Sequence, residues 1–343
     1  MTTPPKTSTK ALPPGAQRAT SHDVARLAGV SQSTVSRVFR DGASVTQATR
    51  DRVEAAARQV NYRPSRAARA LTSNRSGMIA VIATKPSHRA HPEVLYDLGE
   101  EIQAAGHRQL VFVLPEDRVD VATVHDILSY NVDGLISCAV LDDDAIEACH
   151  AARVPVVLFN RESPAMPVAS ISCDHGAGLH ALFARLAAYG TPEITYLAGP
   201  AKSFVSASRL TGVREAAAAA GFAIATVLQG DYSFDFGRKA MTELGGSGVV
   251  PRILLAANDA MALGAIEACR RDLGLRVPED VAIVGYDDVP QASWPSFELT
   301  TLHQPVRDMA AAAVSMATAR MDVPEFQSEV RRLGATLRLR GSA

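Results

Sequence analysis

The stretch Gly29-Val30-Ser31-Gln32-Ser33-Thr34-Val35-Ser36-Arg37 decides how the rest of the chain is read. It is rich in hydroxyl and amide side chains, and helical periodicity flanks it on both sides. Upstream, Thr20 suits a helix N-cap and Asp23 the electropositive first turn. Val24, Leu27 and Ala28 are predicted to share the inner face of that helix. Gly29 supplies a tight turn, Ser31 caps a second helix, and Val35 and Val38 point inward. Two short helices joined by a glycine-containing turn make a helix-turn-helix. The second helix presents Gln32, Ser33 and Arg37 outward, and such side chains bond base edges or phosphates. The sequence predicts a DNA recognition helix.

Working outward, Asp41-Gly42 marks a loop and Thr46 caps a third helix with Val53, Ala56, Ala57 and Val60 on its inner stripe. Asn61-Tyr62-Arg63-Pro64 ends it, because the residue before a proline avoids helical angles. Ser65-Arg66-Ala67-Ala68-Arg69-Ala70-Leu71 follows, basic and alanine-rich. Seven residues do not hold a helix alone in water. The segment is either a plain linker or one that folds against a partner surface.

Charge divides the chain in the same place. Residues 1–76 carry 13 Lys and Arg against 4 Asp and Glu, a net +9. The remaining 267 residues carry 22 against 32, a net −10. A basic head on an acidic body fits a nucleic-acid module fused to something else. Cys138, Cys149, Cys173 and Cys269 are widely spaced, which predicts reduced, buried thiols and no disulfide framework or zinc site. The first 19 residues, with Pro4, Pro5, Pro13 and Pro14, lack a signal-peptide core and are expected to be a disordered tail. No apolar stretch approaches membrane-spanning length, so a cytoplasmic protein is expected.

From Met78 the texture changes to short apolar runs alternating with amphipathic helices. Strands are predicted at 79–83, 110–114, 134–137, 156–159 and 170–172, then at 194–198, 224–228, 253–256 and 282–285. Helices are predicted between them, among them 93–105, 121–130, 209–220 and 260–270. Strand–helix alternation at this spacing indicates parallel sheets covered on both faces. It does not by itself distinguish two lobes from one large sheet.

Residues 20–71 resemble the DNA-binding head of the LacI/GalR family through Asp23-Val24-Ala25, Ala28-Gly29-Val30-Ser31, Thr34-Val35-Ser36-Arg37 and Asn61-Tyr62-x-Pro64. The resemblance implies an all-α helix-turn-helix head on an α/β body similar to periplasmic binding proteins, with two Rossmann-like lobes. It implies DNA contacts from Ser31, Gln32, Ser33, Thr34, Ser36, Arg37 and Thr46. A hinge helix at 65–71 would add Arg66, Ala68 and Arg69, with Leu71 as a minor-groove wedge. The expected organisation is a tail at 1–19, the head at 20–64, hinge and linker at 65–76, and the body at 77–341. Within the body, 77–172 and 304–330 would form the first lobe, and 173–303 and 331–341 the second. Three crossovers are expected, near Ser172–Asp174, Gln304 and Arg331.

Ligands bind where open parallel sheets split. The resemblance carries effector contacts onto Asn160, Arg209, Asn258 and Asp287, with Tyr232 as an aromatic platform. Each has a structural alternative: Asn258 as a helix cap, Asp287 as a turn cap, Tyr232 as packing, Arg209 paired with a carboxylate. Where many family members have Asn-Pro and two aromatics, this chain has His88-Arg89-Ala90-His91 before Pro92. With Arg161 and Arg209, these residues either build a positive wall for an acidic effector or remain a solvated loop. Trp294, the sole tryptophan, either borders the cleft or is buried for structure.

No leucine heptad follows the last apolar alternation at 335–340, so a homodimer on a pseudo-palindromic operator is expected. Its surface is expected to include the helix after Pro92 and the stretch 260–270. Nucleophile elbow, P-loop, zinc spacing and GxGxxG are all missing, which argues against an enzyme, a cofactor or a metal. The expectation is a transcriptional regulator, a repressor in class, whose operator affinity follows a sugar or sugar acid. The alternative is a cytoplasmic solute-binding receptor without a DNA role.

Overall fold

The computed structural model describes residues 19–39, 44–63, 75–85, 93–163, 165–323 and 328–343. The proposed hinge contacts Arg66, Ala68, Arg69 and Leu71 lie outside the described residues, as do His88, Arg89 and His91. The chain divides into two compact units, Met1–Ser76 and Gly77–Ala343.

The first unit contains α1 (Ser21–Ala28), α2 (Gln32–Val38) and α3 (Gln47–Gln59). A reciprocal capping box starts α1: the Thr20 hydroxyl accepts from the Asp23 amide, and the Asp23 carboxylate accepts from the Thr20 amide at 3.0 Å. Gly29 ends it at φ 64°, a left-handed geometry that glycine adopts without steric cost. Ser31 and Thr46 cap α2 and α3 by accepting from the amides of Thr34 and Thr49. Val24, Ala25, Ala28, Val35, Val38, Val53, Ala56 and Ala57 form the core, with Val60 packed against its edge. Leu27 departs from expectation and is 46% exposed. At about 100° per residue, Val24, Ala28 and Ala25 span one arc of α1, and Leu27 falls outside it.

The second unit holds two six-stranded sheets. The first runs in the order β13-β7-β6-β4-β1-β2 and is parallel throughout. Its strands are β1 (Met78–Thr84), β2 (Arg108–Leu114), β4 (Gly134–Ser137), β6 (Val156–Phe159), β7 (Ala169–Asp174) and β13 (Glu329–Gly334). The second runs in the order β14-β12-β11-β10-β8-β9, parallel except for β14. It comprises β8 (Glu193–Ala198), β9 (Ala223–Gln229), β10 (Ile253–Ala256), β11 (Ala282–Asp287), β12 (Thr300–His303) and β14 (Thr336–Arg338). A minor pair, β3 (Arg118–Val119) and β5 (Val140–Leu141), accompanies the first sheet's helices. Helices cover both faces of the first sheet, giving two apolar layers, one including Leu98, Ile136 and Met309, the other Ile127, Leu135 and Ile146. A third core fills the second lobe around Tyr196, Leu255 and Ile283.

The strands at 300–303 and 329–334 are not among those expected, whereas the apolar alternation at 335–340 contains β14, the antiparallel edge of the second sheet. β13 reads EVRRLG and is largely exposed, so its polar side chains hide its pairing with β7. The helix expected from Arg209 begins a turn and a half earlier, at Phe204, because Ser203 caps it through the Ser206 amide. The stretch 260–270 is a helix at Asp259–Glu267 that continues as a π turn at Ala268–Asp272.

The chain passes between the lobes after Asp174, at Gln304 and at Ala335. The third passage corrects the expectation near Arg331. Arg331 and Arg332 pair with Ile171 and Ser172 inside the first sheet, so residues 331–334 belong to the first lobe. The Ala335 amide donates to the Asp174 carbonyl at 2.7 Å, joining two of the passages side by side. Gly178 lies against the Ala335 backbone with no room for a Cβ.

Candidate functional site

On the head, Ser31, Gln32, Ser33, Ser36 and Arg37 are exposed, while Thr34 is half-buried against the helix pair. The Ser31 hydroxyl is engaged with the Thr34 amide and lies 2.8 Å from the Ser33 hydroxyl. Gln32 donates to the Ser21 hydroxyl at 3.1 Å, which steadies its amide at the start of the helix. Thr46 is exposed, with its hydroxyl directed at the first turn of α3. A helix of seven residues presenting an amide, hydroxyls and a guanidinium on one face is suited to a major groove.

In the body, a cavity of about 240 Å³ lies at the interlobe passages. The first lobe supplies Asn160, Glu162, Ser172, Cys173 and Arg332; the passages supply His175 and Gln304. The second lobe supplies Phe204, Val205 and Ser208 from α8 (Phe204–Ala219, following helices α4 to α7 at Glu93–Ala104, Val121–Leu128, Asp143–Ala151 and Gly176–Leu186). Asn160 sits at φ 54° just after β6, and its Oδ1 accepts from the Cys173 amide at 3.2 Å. Arg332 grips Glu162 through two guanidinium nitrogens at 2.8–3.1 Å, and Ser172 donates to the same carboxylate at 3.0 Å.

Arg209 is fully buried beside the cavity. Its Nη2 donates to Asp287 at 2.7 Å, its Nη1 to the Ala257 carbonyl, and its guanidinium stacks 4.2 Å over the Tyr286 ring. Gln304 also donates to Asp287, at 2.9 Å. Asp287 and Asp288 are adjacent at φ 125° and 64°, and the kink sends their carboxylates to different partners. Asp287 serves Arg209 and Gln304, whereas Asp288 receives Arg340 at 2.6 Å and His303 at 3.1 Å.

The remaining expected contacts are placed differently. Asn258 is buried and caps the helix Asp259–Glu267, accepting from Met261 and donating to the Tyr232 carbonyl at 3.0 Å. Tyr232 is buried with its ring packed on Gly199, where any Cβ would collide. The positive wall expected from Arg161 and Arg209 is not formed by them. Arg161 is buried against Asp117 at 2.5 Å, as Arg209 is against Asp287, because an unpaired buried guanidinium is costly. Trp294 is 51% exposed and lines neither the cavity nor the core.

Residues 20–65 match the family described as bacterial regulatory proteins, lacI family, and residues 183–343 match the periplasmic binding protein-like domain. The lactose operon repressor of Escherichia coli (strain K12) is 34% identical over 298 residues, covering 86% of this chain and 82% of that protein. The chain belongs to the LacI family. This LacI-family protein is also 34% identical over 325 residues to the transcriptional regulator CelR of Thermobifida fusca, covering 90% and 94% of the two chains. Among solved structures, the Lac repressor dimer bound to operator and the anti-inducer ONPF superposes with TM-score 0.85 at 31% identity, covering 95% of this chain and 99% of that one. A CelR–cellobiose complex gives 0.67 at 28% identity over 95% and 100%. The LacI-family chain is thus a DNA-binding transcriptional regulator with a periplasmic-binding-protein-like body.

Glu162, Ser172, Cys173, His175, Phe204, Val205, Ser208, Gln304 and Arg332 are the cavity residues that sequence reasoning did not select as contacts. The available signal was positional: most lie at strand ends or at the passages between lobes, where split-sheet ligands sit.

Proposed function

We propose that the protein is a cytoplasmic, dimeric transcriptional repressor whose hold on a pseudo-palindromic operator is set by a small neutral sugar in the interlobe cavity. The observation that carries this reading is the charge balance of the site. Arg161, Arg209 and Arg332 are each matched by a carboxylate, Asp117, Asp287 and Glu162 respectively. Among the described residues, what remains for a ligand is a wall of amides, hydroxyls and one bidentate charged pair, Arg332–Glu162, which suits vicinal hydroxyls better than a carboxylate. A volume of about 240 Å³ is below the roughly 300–1,000 Å³ of drug-sized sites and fits a single sugar ring. The Lac repressor and CelR structures, with ONPF and cellobiose, support a sugar-type ligand in this fold.

The head reads DNA through Gln32, Ser33, Ser36 and Arg37, with hinge contacts from Arg66, Ala68, Arg69 and Leu71. Effector binding changes the setting of the lobes and hence operator affinity, and by linkage the operator changes effector affinity by the same factor. The protein acts by binding and not by catalysis. A receptor without a DNA role does not account for the match of residues 20–65 to the lacI family.

Two measurements test the proposal. Fluorescence anisotropy with a palindromic duplex, at fixed salt, should show operator affinity that differs between sugar-saturated and free protein. Calorimetry should show neutral aldoses binding and the corresponding aldonic acids binding weakly or not at all. Equal operator affinity in both states, or preference for the acids, overturns it.

A further inference from the structure

Behind the cavity wall lies a stack of buried rings and charges. His175 follows Asp174 at the first passage between lobes and lines the cavity. Its ring meets that of Tyr286 edge-on, with centroids 5.3 Å apart and planes at 85°, and its Nδ1 is hydrogen-bonded to the Tyr286 hydroxyl. Tyr286 is itself buried, with Arg209 stacked on its ring. The titratable and charged groups facing His175 are Asp174 beside it in the chain, Arg209 from α8, and Tyr286 and Asp287 from β11. The Cys173 thiol, from β7, also lies against the Tyr286 hydroxyl.

These neighbours bear on where the imidazole proton sits. Burial holds the Tyr286 phenol well above its ordinary range, so it stays protonated and has a proton to donate. Where that phenol donates to Nδ1 of His175, the ring proton is on Nε2. Burial and the Arg209 charge push His175 down to about 4, so the ring is neutral at physiological pH. Nearby, Asn160 has committed its Oδ1 to the Cys173 amide, which leaves its amide nitrogen as the group to offer a ligand. With that tautomer, this end of the cavity presents donors.

We infer that His175 is a specificity-determining residue of the effector site: a neutral imidazole held in one tautomer by Tyr286, whose Nε2–H donates to an oxygen of the bound ligand. The inference rests on the reading of this cavity as the sugar site. It selects ligands that place a hydroxyl or ring oxygen here and rejects those that place an ammonium, such as an amino sugar, against two N–H donors. Tyr286 acts as a positioning residue, touching His175 and not the ligand.

The lock is measured without any sugar. Imidazole ¹⁵N spectra of the full-length protein, with His175→Gln used for assignment, should show Nε2 protonated, Nδ1 bare, and no titration of that ring between pH 5.5 and 8. In Tyr286→Phe both tautomers should appear. A protonated Nδ1, or a wild-type ring titrating near the ordinary value of about 6.5, overturns the inference. Calorimetry then uses D-glucose, D-galactose, D-ribose and D-glucosamine as probes. The neutral sugar that binds wild type should lose about tenfold in affinity in His175→Phe and less in His175→Gln, which keeps an N–H donor. Its affinity should be flat with pH in wild type and pH-dependent in Tyr286→Phe. Circular dichroism confirms that each variant is folded. Unchanged affinity in His175→Phe, or tighter binding of glucosamine than of glucose, overturns the role of His175. Failure of every neutral sugar to bind wild type instead overturns the sugar reading on which it rests.

Discussion

Replacing Arg209 by methionine keeps most of the side chain's length while deleting a charge from the interior of the second lobe. Arg209 and Asp287 expose 0% and 1% of their side chains, so neither is reached by bulk water. The variant leaves the Asp287 carboxylate with the Gln304 amide and without its ionic partner, and the Ala257 carbonyl without the guanidinium. Breaking a buried pair from one side costs about 3–5 kcal/mol, against about 0–1 kcal/mol for an exposed pair such as Lys239–Glu243. Removing both charges in Arg209→Met/Asp287→Leu should recover at least half of that loss, because no uncompensated charge remains. Urea unfolding of the full-length protein, followed by Trp294 fluorescence, reports on the second lobe that contains both residues. With a slope of about 1–3 kcal/mol per molar, the single variant should shift the midpoint by about 1 M or more. A single-variant cost below about 1 kcal/mol would refute the reasoning. So would a double variant no more stable than the single one, since the penalty would then be lost packing and not an orphaned charge.

Three further outcomes follow from other parts of the molecule. Burial and the nearby Asp287 carboxylate push Asp259 up to about 7, above its unfolded value of about 3.9, so its contribution to stability is complete below about pH 4 and is lost as pH rises toward 7. Asp259→Asn, which can still accept from the Val289 amide, should flatten the stability–pH curve over that window; a curve parallel to wild type would contradict this. Arg37→Ala should weaken operator binding by about 1–3 kcal/mol in anisotropy while leaving the unfolding midpoint unchanged, because the side chain is exposed; unaltered operator affinity would remove Arg37 from the interface. Gly264→Ala pushes a methyl into the Phe234 carbonyl, which belongs to backbone and cannot yield, so a loss of about 1–3 kcal/mol is expected in thermal unfolding; an unchanged Tm would refute that packing.

The parts of the structure legible in the sequence are those fixed within a few residues. Thr20, Ser31 and Thr46 cap their helices through amides three positions on, and Gly29 turns because only its own backbone must do so. Parallel strands such as 253–256 announce themselves by continuous apolar runs, being buried on both faces. Long-range choices were not legible. Arg161 and Arg209 show as basic residues near strand ends, but nothing local says that Asp117, 44 positions away, and Asp287, 78 positions away, neutralise them. The edge strand Glu329–Gly334 is hidden because its pairing is all backbone and its side chains are those of a surface. Asn258 illustrates a genuine fork: a polar residue after a strand and before a helix serves as cap or contact, and here the cap has both its groups engaged.

The bond from the Ala335 amide to the Asp174 carbonyl, with Gly178 pressed against the same backbone, carries a mechanical consequence. Two of the three straps between the lobes are stitched into a single band, leaving Gln304 as the other pivot. Twisting one strap past its neighbour would tear that stitch, so the soft motion is a swing about the line joining band and pivot. Gln304 also holds Asp287, so a molecule that enters the crevice and alters that carboxylate's surroundings acts at the axle and not at the rim.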